Sequence, residues 1–173
     1  MSLFHGGDVY SASRQYSIAV DDWIDLSTGI NPQAYPLPMA ISELGASCFE
    51  RLPYLQSAFI ESAARYYKCK HLLPVPGTQS AIQALPYCLS HLPVLMPRLG
   101  YQEHEKAWAK VSPITHYDAL DTTRAALDIS QALDNNPKRH LVVINPNNPT
   151  GQQFSVAQLK AWAERLHEGG RLI

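Results

Sequence analysis

From Leu72 to His167 the chain alternates four-residue apolar runs with longer stretches of helical periodicity, and few folds accept that pattern. The runs are residues 72–75, 93–96, 114–117 and 141–144; the helical stretches are 79–89, about 101–110, a weaker one at 129–133, and 155–167. A short run that is mainly apolar suits a buried strand, and a helix of this length is enough to carry the chain back across a sheet. The predicted fold class is therefore α/β, a mainly parallel sheet with helices on both faces. Upstream, 39–49 and 56–67 read as two more helices, the second on Phe59, Ile60, Ala63, Ala64 and Tyr67, with a break at Arg51-Leu52-Pro53. Residues 1–38 are rich in Gly, Pro, Asp and Ser around a short island, Trp23-Ile24-Asp25-Leu26, and read as an extended arm with turns. The expected organisation is an arm, 1–38, followed by a sheet domain, 39–173. Gly169-Gly170-Arg171-Leu172-Ile173 reads as a loop turning into a further strand, so the sheet domain is expected to be incomplete.

Composition narrows the partners. The 14 basic and 15 acidic side chains are interspersed, which leaves no electrostatic footprint for nucleic acid or anionic lipid and favours a small-molecule partner. Cys48, Cys69 and Cys88 are odd in number and widely spaced, fitting neither a disulfide framework nor a metal knuckle. No basic and apolar leader opens the sequence, and no apolar run approaches the ~18 residues of a membrane helix, so a cytoplasmic, non-membrane protein is expected. The seven histidines show no ligand spacing, and no metal is expected.

Three junctions carry chemistry. Asn145-Pro146-Asn147-Asn148-Pro149-Thr150-Gly151 follows the run 141–144 and precedes a helix with Ser155 as N-cap, which puts it at the carboxyl end of a strand, where α/β proteins place ligands. Asn and Pro are also ordinary turn residues, but five in succession followed by Thr150-Gly151 at a strand end exceed what a turn needs. Pro76-Gly77-Thr78-Gln79-Ser80 joins a run to a helix, and the free N–H groups of a first helical turn suit a phosphate dianion; most such junctions bind nothing. Pro97-Arg98-Leu99-Gly100-Tyr101-Gln102-Glu103-His104 follows a third run and offers an aromatic ring, Tyr101, which could equally be packed on the sheet edge.

The order and spacing of these segments resemble the fold-type I pyridoxal-phosphate (PLP) enzymes of the aminotransferase class I/II superfamily. The resemblance implies the large domain of a PLP-dependent transferase, present in part, with PLP as cofactor. It implies that Asn148 donates a hydrogen bond to the cofactor's phenolic oxygen, that the backbone N–H groups of Gly77, Thr78 and Gln79 hold its phosphate, and that Tyr101 stacks on its ring. The segments His5-Gly6-Gly7-Asp8, Asp25-Leu26-Ser27-Thr28-Gly29-Ile30-Asn31-Pro32, Arg51-Leu52-Pro53 and Tyr101-Gln102-Glu103-His104 look like the threonine-phosphate decarboxylases of the cobalamin pathway, close relatives of the histidinol-phosphate aminotransferases. In that group the first two segments contribute to a pocket for substrate phosphate and carboxylate, which makes His5 and Asn31 candidate substrate contacts; either could instead be turn chemistry.

The implied reaction is decarboxylation of L-threonine O-3-phosphate to an aminopropanol phosphate in a homodimer. The bond set perpendicular to the cofactor ring is the one whose electrons drain into it: to the carboxylate in a decarboxylase, to hydrogen in an aminotransferase. An aminotransferase and an inactive PLP-binding fragment are the alternatives. Two departures stand out. Leu52 occupies a place where many relatives have a tyrosine that reaches the cofactor phosphate, and Tyr54 is the candidate replacement. The Schiff-base lysine of the family lies in a small-residue segment, and none of Lys68, Lys70, Lys106, Lys110, Lys138 or Lys160 has that context, so no catalytic residue is assigned.

Overall fold

The computed structural model describes residues 6–31, 33, 36, 50, 52 and 54–173. The chain divides into two compact units, Met1–Leu72 and Leu73–Ile173. The compositional change at residue 38 and the expected helix 39–49 lie at or within residues outside the described set.

In the first unit a helix, α1 (Val9–Tyr16), stands where an extended arm was expected. Asp8 caps it by accepting from the Ser11 N–H at 2.9 Å, and Ser17 ends it in the left-handed region. The Gly and Pro residues of this segment flank those eight positions and do not enter them, so nothing in the interior breaks a helix. A short 3₁₀ turn (Val20–Asp22) follows, and the Trp23 ring lies 5.9 Å from that of Tyr16. The two glycine-bearing segments meet here. Gly7 N–H donates to Ser27 Oγ at 2.9 Å, Asp25 Oδ1 accepts from both N–H and Oγ of Ser27, and a Cβ on Gly6 would overlap the Ser27 carbonyl. Helix α2 (Ser57–Tyr67) matches its expected span closely.

The second unit holds α3 (Gly77–Cys88), β1 (Val94–Pro97), α4 (Glu103–Trp108), β2 (Ile114–Tyr117), α5 (Thr122–Asn135), β3 (His140–Leu141) and α6 (Val156–Arg165). The strands form a parallel sheet in the order β2-β1-β3, with Val94 opposite both Ile114 and His140. Leu172 adds a parallel bridge to Leu141, and the hydrogen bonds Leu141 N–H to Arg171 O, Ile173 N–H to Leu141 O and Val143 N–H to Ile173 O continue the ladder past β3. Alternation along the strands sends side chains to two cores. Leu95, Tyr117 and Leu141 pack with Ala125, Ile129 and Leu133 of α5, with Phe154, and with Trp162 of α6. Val94, Met96 and Val142 pack with Trp108 of α4, against which α3 lies. Helices therefore cover both faces of the sheet.

His140 is fully buried and fixes the register of this ladder. Its Nδ1 faces the Arg171 N–H at 3.1 Å and must accept, so Nε2 carries the proton and donates to Ser90 O at 2.8 Å. Arg165 joins α6 to α5 through Ser130 O and Asp134.

Two expectations are corrected. Residues 72–75 form no strand: Pro74 and Pro76 carry no N–H, Leu73 is exposed, and the segment has no ladder partner among the described residues. The weak helix at 129–133 is in fact fourteen residues long. Asp121 caps it through the Arg124 N–H, and its buried stripe of Ala125, Ile129 and Leu133 keeps helical spacing that its many polar residues obscure.

Candidate functional site

The site lies where adjacent parallel strands end. After β1 the chain turns through Arg98, Leu99 and Gly100 into Tyr101 and α4; beyond β3 it passes into the Asn145–Gly151 loop (residues 145–151). Between the two loops is a cleft of about 180 Å³ lined by Met96, Arg98, Gly100, Tyr101, Ile144 and Pro149. Gly100 is required here: a Cβ would come within 2.8 Å of Pro97 Cγ and 3.0 Å of Ile144 Cδ1.

The asparagines divide the work of the loop. Asn145 pairs with the Phe154 backbone as a strand would, accepting from its N–H at 2.8 Å and donating to its carbonyl at 3.1 Å. Asn147 is 4% exposed, and its amide donates to Leu99 O and to Thr150 Oγ1, each at 2.7 Å. Gly151, at φ +72°, returns its N–H to Asn147 O, and the peptide bonds before Pro146 and Pro149 are cis. Asn148 is exposed, and its side chain makes no hydrogen bond with the described residues. Ser155 then caps α6 in a capping box with Gln158.

On α3, Gly77 adopts φ +73° with open space where a Cβ would stand, and its N–H is turned back to Val75 O at 2.8 Å. That is a correction in part, since one of the three N–H groups expected to face a phosphate is already engaged by the turn. The N–H groups of Thr78 and Gln79 have no acceptor among the described residues, and Pro76 supplies no side-chain cap. The Gln79 side chain reaches the other way, its Nε2 donating to Glu103 Oε2 at 2.9 Å; Gln83 donates to the same oxygen at 3.1 Å. Glu103, 6% exposed, begins α4 two residues after Tyr101.

The three junctions are thus held as one assembly. Gln79 and Gln83 tie the α3 terminus to the Tyr101 loop through Glu103, and Asn147 ties the asparagine loop to the same Tyr101 loop through Leu99. Tyr101 is half-buried, with the His104 ring edge-on at 6.4 Å. Burial lowers the His104 pKa and keeps that imidazole neutral. At the far end of β2, Asp118 is held ionised by the N–H groups of Asp121 and Leu120, with Arg124 and Arg98 nearby.

A phosphate dianion, an aromatic ring and a phenolic oxygen are what PLP presents. Among the described residues, two N–H groups without an acceptor at the start of the 12-residue α3, a glycine with open space where a Cβ would stand, a half-buried tyrosine and an asparagine amide without a hydrogen bond are what this chain offers, so the residues fit the group. Of the two candidate substrate contacts, His5 lies outside the described residues. Asn31 belongs to the first unit, where its Oδ1 accepts from Gln33 N–H at 2.9 Å in a local turn. Leu52 and Tyr54 also belong to that unit and are 89% and 73% exposed there. Among the described residues no group of His, Cys, Asp and Glu could hold a metal ion, and no helix is long and apolar enough to cross a membrane. Sequence reasoning did not single out Glu103 or Asn147, because a carboxylate at a helix start and a second asparagine in a turn carry no local mark of burial.

Residues 21–173 match the family model for aminotransferase class I and II. The chain is 39% identical over 170 residues to a threonine-phosphate decarboxylase of Pseudomonas aeruginosa, a match covering 97% of this chain and 47% of that protein. It is 34% identical over 180 residues to another threonine-phosphate decarboxylase, from Sinorhizobium sp., covering 99% and 49%. The chain spans about half the length of these curated relatives. The crystal structure of L-threonine-O-3-phosphate decarboxylase from Porphyromonas gingivalis superposes with a TM-score of 0.52 at 16% identity, over 62% of this chain and 33% of that one, which shows a shared fold. With the matched model running through all three junctions, the chain belongs to the aminotransferase class I and II family.

Proposed function

We propose that this chain carries the cofactor-holding part of a PLP-dependent enzyme that decarboxylates L-threonine O-3-phosphate to aminopropanol phosphate and carbon dioxide in cobalamin biosynthesis. The observation that carries this reading is the joining of the three junctions: Glu103 ties the α3 terminus, and Asn147 ties the asparagine loop, to the loop that bears Tyr101. The names of the two relatives at 39% and 34% identity support the substrate.

When bound, PLP supplies the electron sink for the bond broken at the substrate's Cα. The chain's own residues hold and tune it. Thr78 and Gln79 N–H groups, aided by the α3 dipole, take the phosphate. Tyr101 backs the ring, and the Asn148 amide stabilises the phenolate oxygen. His5 and Asn31 contact the substrate's phosphate and carboxylate. The protein works in the cytoplasm as a homodimer, and the Schiff-base lysine comes from sequence outside these 173 residues.

The test is to incubate the purified chain with PLP, reduce with borohydride and measure intact mass, beside a reversible PLP titration. Saturable binding lost in Asn148→Ala, with no adduct on a specific lysine, is the expected result. A stoichiometric adduct on one of the six lysines would refute the missing-lysine assignment. In a protein of the relatives' length, carbon dioxide release from the phosphorylated amino acid is expected; transamination with 2-oxoglutarate instead would place the activity with the aminotransferases.

A further inference from the structure

We infer that Glu103 is a positioning residue that sets the spacing between the phosphate-holding end of α3 and the ring-stacking Tyr101, an inference that rests on the cofactor reading above. Glu103 is a buried carboxylate at the first position of α4, and the site as assigned from the sequence has no use for it. Its Oε2 accepts from Gln79 Nε2 at 2.9 Å and Gln83 Nε2 at 3.1 Å. Those glutamines stand four apart on α3 and so share one face of the helix. Together they form a fork that grips one oxygen.

The arrangement matters because apolar packing does not fix how far one helix slides along another, whereas hydrogen bonds are directional and short-ranged. A ligand that must reach the Thr78 and Gln79 N–H groups with one end and the Tyr101 ring with the other reads that slide directly. Glu103 lies two residues from the ring and clamps the third residue of α3, so it fixes both ends of the span. The clamp uses side-chain amides. Among the described residues the backbone N–H groups of Thr78 and Gln79 have no acceptor, and the carboxylate does not compete with a phosphate for them. A carboxylate in the first turn of α4 is itself favoured by that helix's dipole.

The experiment measures two ligands on the whole chain: PLP by absorbance titration, and inorganic phosphate by the amide shifts of Thr78 and Gln79. Glu103→Leu is expected to weaken PLP about tenfold and to leave phosphate within about twofold, because phosphate touches only one end of the span. Gln83→Ala, which removes one arm of the fork, is expected to weaken PLP about threefold. Glu103→Gln keeps a carbonyl oxygen for both amides and should restore PLP binding to within about threefold of the parent. Parallel loss of PLP and phosphate, or PLP binding unchanged in both Glu103→Leu and Gln83→Ala, would reduce Glu103 to a support of the fold and overturn the inference. Should Glu103→Leu fail to fold, Gln83→Ala and Glu103→Gln decide by the same criteria. A parent chain that binds no PLP at all overturns the cofactor reading itself, and this inference with it.

Discussion

Replacing Asn147 by Asp and by Ala separates what its amide does from what its volume does. The side chain is 4% exposed and donates two hydrogen bonds of 2.7 Å, to Leu99 O and Thr150 Oγ1, while its own buried Oδ1 has no partner among the described residues. Asn147→Ala loses two neutral hydrogen bonds, each contributing about 1 kcal/mol net, and removes the unpartnered oxygen, which offsets about 1 kcal/mol. The expected cost is about 1–2 kcal/mol. Asn147→Asp keeps the volume but places a carboxylate against the Leu99 carbonyl, with only the Thr150 hydroxyl able to turn and donate. An uncompensated buried charge costs about 3–5 kcal/mol, so Asp should be the worse substitution at neutral pH. The pH dependence follows from the direction of the shift. Burial raises the folded pKa of the new carboxyl above its unfolded value of about 3.9, so the penalty is present above the raised pKa and shrinks as pH falls through it, when the protonated acid can donate to Leu99 O. Urea unfolding at pH 7.5 and pH 5 measures both variants. Asp no worse than Ala at pH 7.5, or a gap between them that does not narrow at pH 5, would refute the assignment of Asn147 as the buried donor joining the two loops.

Four further outcomes are expected. Gly100→Ala brings a methyl group within 2.8 Å of Pro97 Cγ and should lower stability by about 1–3 kcal/mol while narrowing the cleft; an unchanged urea midpoint would contradict the close approach. Gly77→Ala meets no atoms but must hold a left-handed backbone, costing about 1–2 kcal/mol by thermal unfolding, and a neutral result would show that the turn into α3 can be made another way. Ser155→Ala removes the hydroxyl that accepts from the Gln158 N–H and keeps the backbone N–H that donates to Gln158 Oε1, with an expected loss of about 1 kcal/mol in the same measurement. His104 has a folded pKa below its ordinary value of about 6.5, so the unfolded chain binds its proton first. Its contribution is full above pH 6.5 and declines as pH falls through that value, and His104→Gln should flatten the loss of stability between pH 7.5 and pH 5.5.

The α/β class, the alternation of elements and the parallel sheet were legible in the sequence because each depends on local periodicity. Residues 114–117 were read as a strand and form β2 over the same four positions, and the Ser155 cap needed only the four residues that follow it. The asparagine loop stood out by its composition, and it does follow β3 at the cleft. Periodicity failed where a local signal pointed the wrong way. The apolar run at 72–75 looked like a strand, but Pro74 and the adjoining Pro76 lack the donors a strand needs, and α1 was hidden by the Gly, Pro, Asp and Ser around it.

What the sequence determined by itself was the alternation of strands and helices from β1 to α6 and which three junctions carry unusual residues, since those are properties of neighbours along the chain. What only the tertiary structure decided was which polar groups meet. Asn147 finds Leu99 across 48 residues, and Gln79 finds Glu103 across 24. Such pairs leave no local pattern, because a buried hydrogen bond is fixed by the fold that brings donor and acceptor within about 3 Å and excludes the water that would otherwise compete for them.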